Sequence, residues 1–194
     1  MTRRLAGFLI AAALLGGGCG EEPKFRSTDI TNAPFAREFS LTDHNGKTRT
    51  LADFKGQVVA VFFGYTQCPD FCPTTLAELA NAARLLGADA AKFQALFVTV
   101  DPERDTPELL SSYVPAFNPS FLGLYGDAAA LKRVAQEFKA IYQKESGKDP
   151  ASYTMAHSIG IYVFDPAGRI RLFMKHEQGA EAIAHDLRLL IAGK

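Results

Sequence analysis

Tryptophan is absent from this 194-residue chain, and it holds only three cysteines, three methionines and four histidines. Charge of one sign is missing too: 21 Lys and Arg offset 21 Asp and Glu, for a formal net charge of zero. Without a one-signed field the chain has no electrostatic footprint for nucleic acid or a membrane surface. No apolar run reaches the ~20 residues that span a bilayer. There is no internal repeat and no sign of a second folded domain. The single C-x-x-x-C pair, Cys68 and Cys72, is neither the C-x-x-C of ordinary thiol oxidoreductases nor half of a four-cysteine zinc site. What is present is a 47% hydrophobic composition with 15 phenylalanines, core enough for one domain.

The N-terminus reads as an export signal. Arg3 and Arg4 precede LAGFLIAAALL, and small residues, GGGCG, follow. That order of basic, apolar and small residues is a secretory pattern, here of lipoprotein type, with residues 1–18 removed and Cys19 lipidated. Gly16 stands where such signals usually carry Leu, and Leu15 sits one place early. Residues 19–33 are polar and aperiodic and read as a tether. The folded domain is expected over 34–194.

Within that domain, FSLTDHNGKTRTL predicts a hairpin about Asn45-Gly46. VVAVFFGY and FQALFVTV are continuous apolar runs, typical of strands buried on both faces. A helix is expected from Pro73 to Gly87, and another from Thr106 with Pro107 in its first turn. FLGLYG predicts a short strand and DAAALKRVAQEFKAIYQK one long amphipathic helix. SIGIYVFDPAGRIRLFM predicts a hairpin, and AEAIAHDLRLLIA a final helix. This alternation describes an α/β sandwich of thioredoxin type, with an N-terminal β-hairpin and a C-terminal β-hairpin plus helix.

The cysteines fall at the turn between the first buried strand and its helix. Pro69 keeps Cys68 out of helical geometry, and Pro73 puts Cys72 at the helix start. A loop thiol and a helix-start thiol can meet before the helix, where free amides and the dipole favour thiolates. If Cys19 carries lipid, these two are the only remaining thiols in an oxidising compartment. A disulfide between them closes a tiny loop and contributes little stability. Redox work or a soft metal remain. Thiolates select Cu(I), which tolerates three ligands, so an imidazole would complete the set. His44 reads as an exposed turn residue, and His176 and His185 as surface. His157 lies directly before the buried IYVF strand, beside the cysteine turn in such a sheet. Between 151 and 165 there is no proline, where exchange enzymes of this architecture carry one. Only Thr66 matches the residues a peroxiredoxin would need upstream of its cysteine.

Three stretches, FFGYTQCPDFCPTTL, DPERDTPE and AHSIGIYVFDPAGRIR, resemble in order and spacing the Sco/SenC family. The resemblance covers the chain from about Pro34 to the last helix. It implies a membrane-tethered thioredoxin-like domain that binds copper, Cu(I) or Cu(II), through Cys68, Cys72 and His157. It also implies a part in building the dinuclear copper centre of cytochrome c oxidase subunit II, by copper delivery or by thiol reduction. Another periplasmic copper chaperone or a thiol reductant is a further expected partner, and nucleic acid is not. The expected location is the bacterial cell envelope, anchored with the domain in the periplasm or on the outer face. The alternative is a thiol–disulfide oxidoreductase or redox sensor working through Cys68 and Cys72. Ala156 stands where many members carry an acidic residue, and Gln67 where many carry His. Asp101 and Met155 are expected near the site, Met155 mainly as core. Glu103 and Asp105 read as a solvated loop.

Overall fold

The protein was described from a computed structural model covering residues 24–147 and 152–194. The segment expected to be an export signal and Cys19 lie outside these residues. The strands in chain order are β1 (Thr28–Asp29), β2 (Leu41–Asp43), β3 (Thr48–Arg49), β4 (Val58–Gly64), β5 (Phe93–Thr99), β6 (Leu122–Tyr125), β7 (Tyr142–Ser146), β8 (Tyr153–His157), β9 (Ile161–Phe164) and β10 (Ile170–Met174). The helices are α1 (Phe71–Leu86), α2 (Pro107–Phe117), α3 (Ala128–Phe138) and α4 (Ala180–Ile191). Eight strands form one mixed sheet in the order β1-β10-β9-β4-β5-β6-β2-β3. β4, β5 and β6 run parallel, and β9 joins β4 antiparallel.

Strands β4 and β5 are buried along their whole length, as their unbroken apolar runs require. Alternation along β4 then sorts the two faces. Phe63 packs edge-on against Phe138 of α3 and Tyr162 of β9, with ring centroids 5.4 and 6.1 Å away. Phe62 points to the other face, against Phe97 at 5.9 Å, and Phe97 meets Tyr113 of α2. The successive steps β4–α1–β5–α2–β6 move one way across the sheet, so right-handed crossovers put α1 and α2 on the same face. Helix α4 packs on α1. Phe62, Phe63, Phe97, Phe121, Phe138 and Phe164 are fully buried. Each contributes roughly 1.5–3 kcal/mol, which is how the core does without tryptophan. The fold is the expected thioredoxin-like α/β arrangement.

Four local expectations are corrected. Helix α1 begins at Phe71, so Pro73 sits inside its first turn, where a missing N–H leaves no bond unmade. The long helix predicted through Lys144 stops at Phe138, where Lys139 takes a left-handed conformation, φ 52°. Residues 142–146 form β7 instead and pair with β8 in a separate two-stranded ribbon. The third correction is at the N-terminus, where folded structure begins before residue 34. The amides of Arg26 and Ser27 donate to the buried Asp186 carboxylate at 2.9 and 2.8 Å, and β1 pairs with β10. Finally, His157 does not lead straight into the IYVF strand: it ends β8, and three residues separate it from β9.

Candidate metal centre

The site lies at the carboxyl ends of the parallel strands β4 and β5, where α/β sheets present their chemistry. The loop after β4 carries Cys68, and the first turn of α1 carries Cys72. Gly64 makes the close approach feasible. A Cβ there would stand 2.7 Å from Phe97 Cε2 and 2.9 Å from Cys72 Sγ. Both cysteines are free thiols, Cys68 7% and Cys72 0% exposed. The Cys72 amide donates to Cys68 Sγ at 3.5 Å, so one helix-start N–H does face sulfur. At Cys72 itself the expected thiolate preference is reversed. Burial pushes its thiol far above the usual range, and a hydrogen bond from the Tyr65 backbone only partly offsets this.

His157 comes to the pair from the ribbon. Its Nε2 is 3.6 Å from Cys72 Sγ, and its Nδ1 is 3.0 Å from the Ser158 carbonyl. The carbonyl accepts a hydrogen bond from Nδ1–H, which leaves the Nε2 lone pair facing sulfur. Burial lowers the His157 pKa and so favours the neutral ring, and the Ser158 contact opposes that in part. Tyr65 and Phe62 stand edge-on to the imidazole, with centroids 5.7 and 6.3 Å away. The donor atoms of Cys68, Cys72 and His157 all lie within 4.8 Å of one another, close enough to share one ion. Among the described residues no other group of this kind forms. Two sulfurs and a neutral imidazole, without a carboxylate, suit a soft ion and not a hard one.

The residues around the trio differ from their reading as a solvated loop. Asp105 is 2% exposed. It accepts from the Thr66 amide at 3.1 Å and from the Thr66 and Thr99 hydroxyls at 2.6 Å each, pinning the cysteine loop to the end of β5. Asp101 is equally buried and takes the Tyr153 hydroxyl at 2.8 Å and the Arg104 guanidinium. Only Glu103 is a surface group, paired with Lys144 at 2.6 Å. Met155 belongs to the core. His44 and His176 are not simple surface residues: His44 Nδ1 accepts from the Gly123 amide at 3.0 Å, and His176 Nδ1 lies 3.1 Å from the Thr75 hydroxyl. His185 binds the Asp186 carboxylate at 2.8 Å. None of these three reaches the cysteines. Arg104 and Tyr153, which sequence reasoning did not single out, both border the site. A signal was present, since Arg104 lies within DPERDTPE.

With this geometry in place, comparison with known proteins is decisive. The SCO1/SenC family model matches residues 27–192. The chain belongs to the SCO1/SenC family. Among its relatives is the mitochondrial protein SCO2 homolog of Bos taurus, 36% identical over 195 residues, covering 93% of this chain and 73% of that one. The copper-bound structure of Bradyrhizobium japonicum ScoI is 42% identical with a TM-score of 0.72, covering 78% of this chain and 96% of that one. The solution structure of apo Sco1 from Thermus thermophilus is 37% identical with a TM-score of 0.78, covering 88% and 99%.

Proposed function

We propose that this SCO1/SenC chain is a copper carrier, with Cys68, Cys72 and His157 as the donors. The observation that carries the reading is the convergence of two sulfurs and one preset imidazole nitrogen within 4.8 Å. The copper held by the Bradyrhizobium relative supports it. Copper here is cargo. It enters as the thiols lose their protons, and it leaves by exchange onto the ligands of an acceptor. The acceptor we assign is the dinuclear copper centre of cytochrome c oxidase subunit II, loaded by delivery or prepared by reduction of its thiols. Another copper chaperone or a thiol reductant of the same compartment would charge the site. The chain would work at the cell envelope, exported and tethered through lipid on Cys19. Among the described residues no helix is long and apolar enough to cross a membrane.

A second reading rests on the two free thiols lying side by side. One thiolate would attack a target disulfide, and the other would release the mixed disulfide, leaving the target reduced and Cys68–Cys72 oxidised. One experiment separates the two. The reduced full chain is titrated with Cu(I) against a competing chelator, beside Cys72→Ser and His157→Ala. The carrier reading expects one copper per chain and severe weakening in both variants. Parental affinity in His157→Ala would remove the third donor. A chain that binds no copper yet reduces protein disulfides catalytically would favour the second reading.

A further inference from the structure

His157 is carried by a two-stranded ribbon that stands outside the main sheet. Strands β7 and β8 pair with each other and not with the eight-stranded sheet. A two-stranded hairpin is marginal by itself in water. Along β8, Tyr153, Met155 and His157 share one face by strand alternation, while Thr154 and Ala156 are exposed. Met155, between them, is buried in the core, and Tyr153 is a further point at which this face is held, so its contacts bear on where His157 sits.

What holds Tyr153 is Arg104, from the loop between β5 and α2. Its guanidinium carbon is 3.6 Å from the Tyr153 ring centroid, a stacked contact. Nη1 donates to the Tyr153 carbonyl at 3.0 Å and to Gln67 Oε1 at 3.0 Å. Nε donates to Asp101, whose other oxygen takes the Tyr153 hydroxyl at 2.8 Å. Lys144 of β7 lies 3.9 Å from the same ring and pairs with Glu103. One side chain thus joins the ribbon, the β5–α2 loop and the residue before Cys68. Arg104 Nη2 is buried with no acceptor, an expense that a merely solvating surface arginine would avoid by turning to water. A lysine has neither the planar stack nor the fork that makes these contacts together.

We infer that Arg104 is a positioning residue, a latch that closes the β7–β8 ribbon over the cysteines and so presents His157 to them. With the latch open the two sulfurs stay in place and the imidazole is withdrawn. The inference rests on the trio being a metal site, but its first test does not. In the metal-free full chain, Arg104→Ala is expected to speed amide hydrogen exchange across 142–146 and 153–157 while 58–64 and 93–99 stay protected. The second test is a double-mutant cycle read by Cu(I) competition. Arg104→Ala should weaken binding about tenfold, as loss of a group that orients a ligand does. In a His157→Ala background the same substitution should change nothing. Equal losses in both backgrounds, or unchanged ribbon exchange, overturn the latch. Should Arg104→Ala fail to fold, Arg104→Lys and Tyr153→Leu each break the stack and carry the same expectation. A parent that binds no copper overturns the carrier reading, and ribbon exchange alone then decides the latch.

Discussion

Gly64→Ala is the smallest change that reaches the site from below. The new methyl would lie 2.7 Å from Phe97 Cε2, 2.9 Å from Cys72 Sγ and 3.1 Å from Phe62 Cε1. The first two are closer than real Cβ atoms come, so something must move. Phe62 and Phe97 are fully buried and Cys72 is held in the first turn of α1, which leaves no flexible end to give way. Backbone strain plays no part, because Gly64 is an ordinary strand residue. Overpacking of this kind destabilises by typically 1–3 kcal/mol. At this chain length that lowers Tm by roughly 2–4 °C per kcal/mol. The displaced sulfur should also weaken Cu(I) binding by more than the fold suffers, since Phe97 and Cys72 share the strain but only Cys72 is a donor. Thermal unfolding and chelator competition read the two effects separately. A variant with parental Tm and parental affinity would show that the floor of the site is looser than these distances state.

Three further perturbations test other parts of the construction. Asp105→Ala leaves the Thr66 amide, the half-buried Thr66 hydroxyl and the buried Thr99 hydroxyl without their acceptor and should destabilise by about 2–4 kcal/mol in denaturant titration; a loss under 1 kcal/mol would mean the loop repacks. Burial lowers the His157 pKa, so the unfolded chain binds this proton more readily than the folded one. Stability from His157 should therefore be lost as pH falls below the ordinary value of 6.5, and its NMR titration should midpoint below that value. A midpoint above 6.5 would contradict the neutral ring. Asp186→Ala removes the acceptor for Arg26, Ser27 and the Ser27 hydroxyl, and should cost about 1–3 kcal/mol with faster amide exchange at 26–30. Unchanged exchange there would mean that β1 pairing alone holds the segment.

Much of the fold could be read before any coordinates because its signals are local. The Asn45-Gly46 hairpin, the apolar runs of β4 and β5, and the Thr106 cap of α2, which accepts from the Leu109 amide at 3.2 Å, each declare themselves within a few residues. The three donors were legible for a different reason: two prolines restrict the cysteines, and the motifs fall in a family's order. What escaped depends on contacts distant in sequence. YQKES has no apolar alternation, and four of its five residues are exposed, so nothing marks it as a strand until β8 pairs with it. The chain at 26–30 is polar, and its hold comes from Asp186, 160 residues from Arg26. Asp105 looked solvated because its partner Thr66 lies 39 residues back. Arg104 was hidden likewise, its charge typical of a loop and its stacking partner 49 residues away.

The distribution of the donors bears directly on the proposed transfer. A carrier must exclude other reactions of its sulfurs yet surrender its ion. Cys72 is fully buried on the core, and that burial favours its protonated, less nucleophilic form. Metal binding then has to displace that proton, which makes affinity rise with pH. Transfer needs the reverse, a donor that can step back without unfolding the domain. Cys72 cannot serve, because it is fully buried in the first turn of α1 against the floor formed by Gly64, Phe62 and Phe97. The imidazole can, because its ribbon lies outside the eight-stranded sheet and Arg104 is one of the side chains that join it to the domain. On the proposed reading, an acceptor that competes for Arg104 would loosen the third ligand and leave the two sulfurs.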